Sequence, residues 1–205
     1  MSTIQNRYTY LCNTSSDINE HLPTLYKYAT ECESIIECGV RGCVSSWALT
    51  HGLLHNQKPT KKLLLNDLTE CNIQELLQAT KNLDIEVDYK WQNNLTLDIS
   101  GTVDMVFIDT WHVYGHLQRE LNKFHSIAKK YIVMHDTTVD GVYGETIRCH
   151  MDAVKQSRDS GYPIEEINCG LWKAIEEFLS THTEWKLKER FTNNNGLTIL
   201  EKTTN

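Results

Sequence analysis

The chain has 205 residues, 40% of them hydrophobic, with 20 Lys and Arg against 27 Asp and Glu, a formal charge of −7 and a pI near 5.7. With a mean hydropathy of −0.44 and only 3 Pro and 10 Gly, these figures exclude a disordered, collagenous or repeat protein. They also argue against nucleic acid or an anionic membrane as the main partner. No apolar run approaches the ~18 residues of a membrane span, and Met1 to Tyr10 lacks the basic start and apolar core of a secretory signal. Seven cysteines without C-x-x-C spacing read as reduced thiols in the cytoplasm, so the sequons at Asn13 and Asn94 are coincidental. A chain of this length buries enough surface to fold without disulfides or a structural metal.

In chain order, residues 17–30 place Ile18, Leu22, Leu25, Tyr26 and Ala29 on one helical face, and Asp17 with Glu20 resembles a capping box. Ser34 to Cys38 is a short apolar strand ending in a glycine-bearing turn, Gly39 to Gly42, and a helix follows from about Ser45 to His55. Lys62 to Leu65 is a buried strand closed by Asn66-Asp67; residues 72–82 show helical spacing; Ile85 to Trp91 alternates like a strand. Val103 to Asp109 is a continuous apolar strand with an acidic end. Leu117, Leu121, Phe124 and Ala128 mark the next helix, and Tyr131 to His135 the next strand.

Residues 137–169 are polar and too long for an ordinary connection, which predicts a partly helical lid over a site. A helix with Leu171, Ala174, Ile175, Phe178 and Leu179 on one face precedes two strands, Trp185 to Phe191 and Leu197 to Glu201, joined by Asn193-Asn194-Asn195-Gly196, a hairpin signal. Helices alternating with five strands and closed by an antiparallel hairpin predict a seven-stranded, mostly parallel α/β sheet with helices on both faces. No linker or repeat divides the chain, and one domain over 1–205 is the economical organisation.

The turn Glu37-Cys38-Gly39-Val40-Arg41-Gly42-Cys43-Val44-Ser45-Ser46 lets backbone amides approach a ligand, and Ser45 and Ser46 can cap the following helix. It lacks the third glycine of a dinucleotide fingerprint and the Gly-Lys-Ser/Thr of a phosphate loop. Glu37 ahead of it suits a ligand amine, and Asp67 at the end of the second strand can take both hydroxyls of a ribose. Alone, such a turn can equally be a packing device. The fourth strand, however, ends Ile108-Asp109-Thr110-Trp111-His112-Val113-Tyr114 and the fifth ends His135-Asp136-Thr137. In an open parallel sheet these ends share one edge, which gathers two carboxylates and two histidines.

These motifs resemble the class I S-adenosylmethionine-dependent methyltransferases in order and spacing. The element from Ile108 to Tyr114, followed by His135-Asp136, is similar to small-molecule O-methyltransferases, as is the ending Gly170-Leu171-Trp172-Lys173-Ala174-Ile175-Glu176-Glu177-Phe178 with Asn193 to Leu197. The resemblance runs from about Asp17 to Lys202. It implies a Rossmann-like methyltransferase sheet and S-adenosylmethionine held by Glu37, Gly39, Val40, Arg41, Gly42, Ser45, Ser46 and Asp109, with Asp67 on the ribose. Adenine is then expected near Trp91, Gln92 and Asn93, which read equally well as a solvated turn.

The residue three after the strand-four aspartate supplies the base in such enzymes, and His112 stands there; imidazole is suited to that step near neutral pH. Asp109 and Asp136 with His135 are expected either to share Mg²⁺ or Mn²⁺ or, without a metal, to leave Asp136 orienting His112. Trp111, Tyr114 and Tyr143 are expected to wall the acceptor pocket, and His51, His55, His116, His125 and His182 to be solvated loop histidines. The implied acceptor is a sugar or glycan hydroxyl, a deoxysugar such as rhamnose included, with association with glycosyltransferases. A non-sugar acceptor and a binding module without catalysis stay open, as does a homo-oligomer.

Overall fold

The computed structural model describes residues 2–203; Met1, Thr204 and Asn205, at the ends of the expected domain, lie outside the described residues. The chain forms two compact units that meet at Ile108 and Asp109 in sequence. The strand order is β3-β2-β1-β4-β5-β7-β6, the seven-stranded sheet that the alternation of elements predicts. Among the described residues no helix is long and apolar enough to cross a membrane.

The first unit opens with α1 (Thr3–Cys12), a helix that the sequence reading missed. Ser2 caps it by accepting from the Gln5 amide, but Ile4 is its one buried residue, so it carries no apolar stripe to announce it. The helix expected over 17–30 is shorter: a 3₁₀ turn at Asn19–His21 leads into α2 (Leu22–Ala29), which starts where Pro23 supplies a first-turn φ and needs no partner for an N–H. The capping box does not form, because Asp17 turns to the Arg41 guanidinium.

β1 (Ser34–Cys38) pairs in parallel with β2 (Lys62–Asp67) and β4 (Val103–Ile108), and β2 with β3 (Glu86–Trp91). α4 (Gln74–Thr80) lies between β2 and β3 in the chain. α3 (Val44–His55) is buried from Ser45 to Leu53 and packs so closely on α2 that a Cβ on Gly52 would stand 2.5 Å from both Ala29 Cβ and Tyr26 O. His51, expected in a solvated loop, is instead a buried core residue of α3. Its ring centroid lies 4.8 Å from Tyr8, 4.9 Å from Tyr26 and 4.5 Å from His55.

In the second unit α5 (Tyr114–Phe124) packs against α9 (Leu171–Thr181), and β5 (Ala128–His135) pairs antiparallel with β7 (Leu197–Lys202), which pairs antiparallel with β6 (Trp185–Phe191). Segment 137–169 holds three short helices, α6 (Glu145–Arg148), α7 (Ala153–Ser160) and α8 (Ile164–Asn168). His116 is buried on α5 rather than in a loop. The hairpin turn uses left-handed residues Asn194, Asn195 and Gly196, as its sequence predicts.

Burial lowers the His51 pKa from 6.5 to about 4, and the charge of His55 adds to the effect. The folded chain therefore binds fewer protons than the unfolded one, so His51's contribution to stability is complete above pH 6.5 and is lost as the pH falls toward 4. Thermal unfolding followed across that window should show Tm falling with acid, and His51→Phe should flatten this part of the profile.

Candidate active site

The glycine turn of the first unit takes its shape from one carboxylate. Gly39, Arg41 and Cys43 all have positive φ, at 93°, 43° and 60°, a conformation that a non-glycine residue holds only under constraint. Asp67 supplies that constraint: its Oδ2 accepts from the amides of Val40 and Arg41 at 2.8 and 3.0 Å, while Oδ1 accepts from the Thr69 amide and hydroxyl, both at 2.8 Å. Burial opposes its ionisation, yet these hydrogen bonds outweigh burial and lower its pKa.

Glu37 is fully buried and accepts a hydrogen bond from Ser45 Oγ. Ser45 and Ser46 do not cap α3: its N-cap is Cys43, left-handed and without a capping side chain, because the turn enters the helix one residue earlier than expected. Ser46 Oγ is buried beside the Cys43 thiol. A Cβ on Gly42 would meet nothing within 4 Å, so the turn borders open space there. Beside Asp67 lie Leu68 and Trp91, both exposed, with the indole N–H donating to Leu68 O at 3.0 Å. The Gln92 amide donates to Asp67 O, and Asn93 caps the short turn at Asn94–Thr96.

In the second unit the residues that follow β4 and β5, with α6, form a cage around one imidazole. His112 Nε2 lies 3.1 Å from both Asp109 Oδ1 and Asp136 Oδ2, and Nδ1 lies 3.3 Å from Asp140 Oδ2 and 3.2 Å from Glu145 Oε2. The sequence reading missed Asp140 and Glu145, which sit within the polar lid segment and share no periodicity with Asp109. Arg148 clamps Asp140 with two hydrogen bonds of 2.6 and 2.8 Å. Burial works against a charged ring, but hydrogen bonds to Asp109, Asp140 and Glu145 and the charge of Asp136 raise the His112 pKa well above 6.5. The cage thus favours the protonated form of the His112 ring.

His135 is fixed by the hairpin turn. Its Nε2 lies 3.2 Å from the Asn194 carbonyl, which can only accept, so Nε2 carries a hydrogen and Nδ1 faces Asp136 Oδ2 at 3.3 Å and Asp109 Oδ1 at 3.6 Å. Burial disfavours its charge, and the two aspartates more than compensate, raising the pKa to about 10. Asp109 is shifted down in turn: burial opposes its ionisation, and hydrogen bonds from His112 and His135 prevail.

Asp136 adopts φ 57° and is buried with Oδ1 unpartnered. This conformation persists because Asn195 O accepts from the amides of Thr138 and Val139, and Asp136 O from the Asp140 amide. Gly196 permits the contact, since a Cβ there would stand 2.4 Å from Thr138 Oγ1. The expected acceptor wall is dispersed. Trp111 is offset-stacked on Tyr162 at 5.7 Å, Tyr114 turns to α9 and donates to Glu177, and Tyr143 is exposed, bridged through its backbone to Cys169.

No protein-family model and no curated sequence matches the chain. Solved structures do. The O-methyltransferase TomG of Streptomyces achromogenes, involved in tomaymycin synthesis and solved with S-adenosylmethionine, aligns at TM-score 0.62 and 17% identity over 93% of this chain and 82% of its own. An O-methyltransferase from Bacillus cereus in complex with S-adenosylhomocysteine gives TM-score 0.61 and 12% identity over 99% and 92%. The chain has the class I S-adenosylmethionine-dependent methyltransferase fold. The N-methyltransferase NodS of Bradyrhizobium japonicum shares it, at TM-score 0.58 and 11% identity over 92% and 97%, so this fold by itself does not select the atom methylated.

The cage fits a divalent cation. Asp109, His112 and Asp136 each offer one ligand atom within 4.8 Å of the others, the buried Asp136 Oδ1 lacks a partner, and an oxygen-rich set with one imidazole suits Mg²⁺ or Mn²⁺. His112 takes the nitrogen position for which the sequence offered His135.

Two outcomes follow from this geometry. In the cation-free protein, ¹⁵N shifts of the His112 ring should report an imidazolium at neutral pH, and Glu145→Gln should lower its titration midpoint. Gly196→Ala should destabilise the fold by ~1–3 kcal/mol in denaturant melts, because both its left-handed φ and its contact with Thr138 reject a Cβ.

Proposed function

We propose that the chain is an S-adenosylmethionine-dependent O-methyltransferase acting on a hydroxyl of a small molecule, with the sugar hydroxyl implied by the sequence resemblance as the finer reading. The observation that carries this is the convergence of Asp109, His112 and Asp136 in one partly buried cage on a methyltransferase fold. One methyltransferase domain over 1–205, with 137–169 as its acceptor lid, belongs to the same proposal.

In the first unit, the Glu37–Ser45 pair and the turn from Gly39 to Ser46 hold the amino-acid end of the cofactor. Asp67 Oδ1, engaged by neighbouring Thr69, is the oxygen able to exchange its partners for ribose hydroxyls, while Oδ2 keeps the turn in shape. Trp91 and Leu68 offer an exposed apolar surface for adenine beside Gln92 and Asn93.

In the second unit, Asp109, Asp136 and His112, backed by His135, would hold the divalent cation, which supplies charge that lowers the pKa of a coordinated hydroxyl. Without a cation, His112 is instead the group placed to receive the acceptor proton, once it has lost the one that the surrounding carboxylates favour on it; a ring nitrogen that ligates the cation cannot also take that proton. Asp140 and Glu145 keep the ring aligned from its Nδ1 side. Methyl transfer is an in-line displacement, so alignment of the acceptor oxygen is the main service of these residues.

Calorimetry should detect S-adenosylhomocysteine binding, weakened ~1–3 kcal/mol by Asp67→Ala, the scale of lost hydrogen bonds to a ligand. Failure to bind while a nicotinamide dinucleotide binds would end this reading. With labelled S-adenosylmethionine and a panel of sugar, phenol and amine acceptors, His112→Ala should lower kcat by ~10²–10⁴ with cofactor affinity nearly unchanged. EDTA should abolish turnover and Mg²⁺ or Mn²⁺ restore it; turnover indifferent to chelation would leave the cage without a metal role.

A further inference from the structure

The loop between β4 and α5 is tied down by groups that the chemistry of the cage leaves unused. Thr110, next to Asp109, donates from Oγ1 to Glu120 Oε1 at 2.7 Å. Trp111, next to His112, is offset-stacked on Tyr162 with ring centroids 5.7 Å apart. His116 joins these two arms: its Nε2 lies 3.5 Å from Glu120 Oε1 and its Nδ1 3.2 Å from the Tyr162 hydroxyl. The two loop residues that adjoin Asp109 and His112 are thereby linked through one imidazole.

The far side of this arrangement is closely packed. Arg119 lies over the Tyr162 ring, 4.0 Å from its centroid, and donates to Glu166 at 2.7 Å. Ser157 donates to Tyr162 O at 2.6 Å. α5 and α8 approach so closely that a Cβ on Gly115 would stand 2.6 Å from Glu166 Oε2.

Packing alone does not account for Glu120. It is fully buried, and a buried ion pair holds helices together no better than apolar side chains of similar volume. Its carboxylate reaches a loop residue instead of a neighbouring helix. Burial disfavours a charged His116 ring, but Glu120 outweighs burial and raises the His116 pKa above 6.5. A hydroxyl bonded to an ionised oxygen is held more firmly than one bonded to a neutral acceptor, and a reactive constellation keeps its geometry only with such support.

We propose that His116 and Glu120 are positioning residues: acting through Thr110 and Trp111, they brace the loop from Asp109 to Val113 so that Asp109 and His112 meet in the cage. The effect on the loop is independent of any reaction; its consequence for turnover rests on the methyl-transfer reading.

Thr110→Val removes the hydroxyl without changing charge, and Thr110→Ser keeps it. The full chain is labelled with ¹⁵N-histidine and compared at one pH, the His112 ring signals being assigned by their loss in His112→Ala. Thr110→Val should displace those signals, and Thr110→Ser should leave them in place. With labelled S-adenosylmethionine and the acceptor panel, Thr110→Val should lower kcat about tenfold or more, because misplacing reacting groups by ~1 Å can cost ~10²-fold. S-adenosylhomocysteine affinity should stay at the wild-type value, and Thr110→Ser should recover most of the rate. His116→Phe, which keeps a ring and removes both nitrogens, should lower kcat in the same way; if that chain does not fold, the two Thr110 variants still decide.

Unmoved His112 signals in Thr110→Val would overturn the brace, as would Thr110→Ser signals displaced as far as those of Thr110→Val. Displaced signals with unchanged kcat would overturn its role in turnover. A wild-type chain that binds no S-adenosylhomocysteine would overturn the methyl-transfer reading instead, and the ring signals would still decide the brace.

Discussion

Four carboxylates around one imidazole is the constraint on which the second unit depends. Like charges a few ångströms apart repel by roughly 4 kcal/mol at the effective dielectric of a protein site, so Asp109, Asp136, Asp140 and Glu145 can share this space only with compensating charge. Arg148 neutralises Asp140, and His112 and His135 answer two of the three carboxylates that remain. The surrounding architecture keeps these groups from relaxing apart. Strand ends deliver Asp109 and His135, the hairpin turn holds Asp136 in its left-handed conformation, and α6 brings Glu145 to the far side of the ring. A cation with the charge of a metal ion can take over part of this compensation, which is why the same residues read as a ligand set.

The first unit shows the same logic with one carboxylate and neutral donors. Asp67 ends β2, yet it determines the turn that leaves β1, because two successive amides of that turn point at one of its oxygens. The strained φ values of Arg41 and Cys43 are compensated there. A cofactor bound at this strand end, as proposed, would be coupled to the shape of the turn, and a substitution at Asp67 would act on both.

Between the strand ends and α9 runs a segment that does more than connect them. It contributes Asp140 and Glu145 to the cage and a backbone donor to the His112 loop.

Periodicity and strand-end chemistry were legible in the sequence. The apolar runs that form β1, β2, β4 and β5 are buried strands wherever they occur, and Asn193 to Gly196 can hardly be anything but a turn, so element order and the neighbourhood of Asp109, His112, His135 and Asp136 follow from local preference. Local preference could not say that Asp17 would leave its helix for Arg41, that Ser45 would bond Glu37 rather than cap α3, or that His51 and His116 would be buried. Nor could it find Asp140 and Glu145, separated from His112 by 28 and 33 residues and brought to its ring by backbone bonds that no spacing encodes. Those outcomes rest on through-space electrostatics and packing between elements distant in the chain, and only the tertiary structure decides which charges meet.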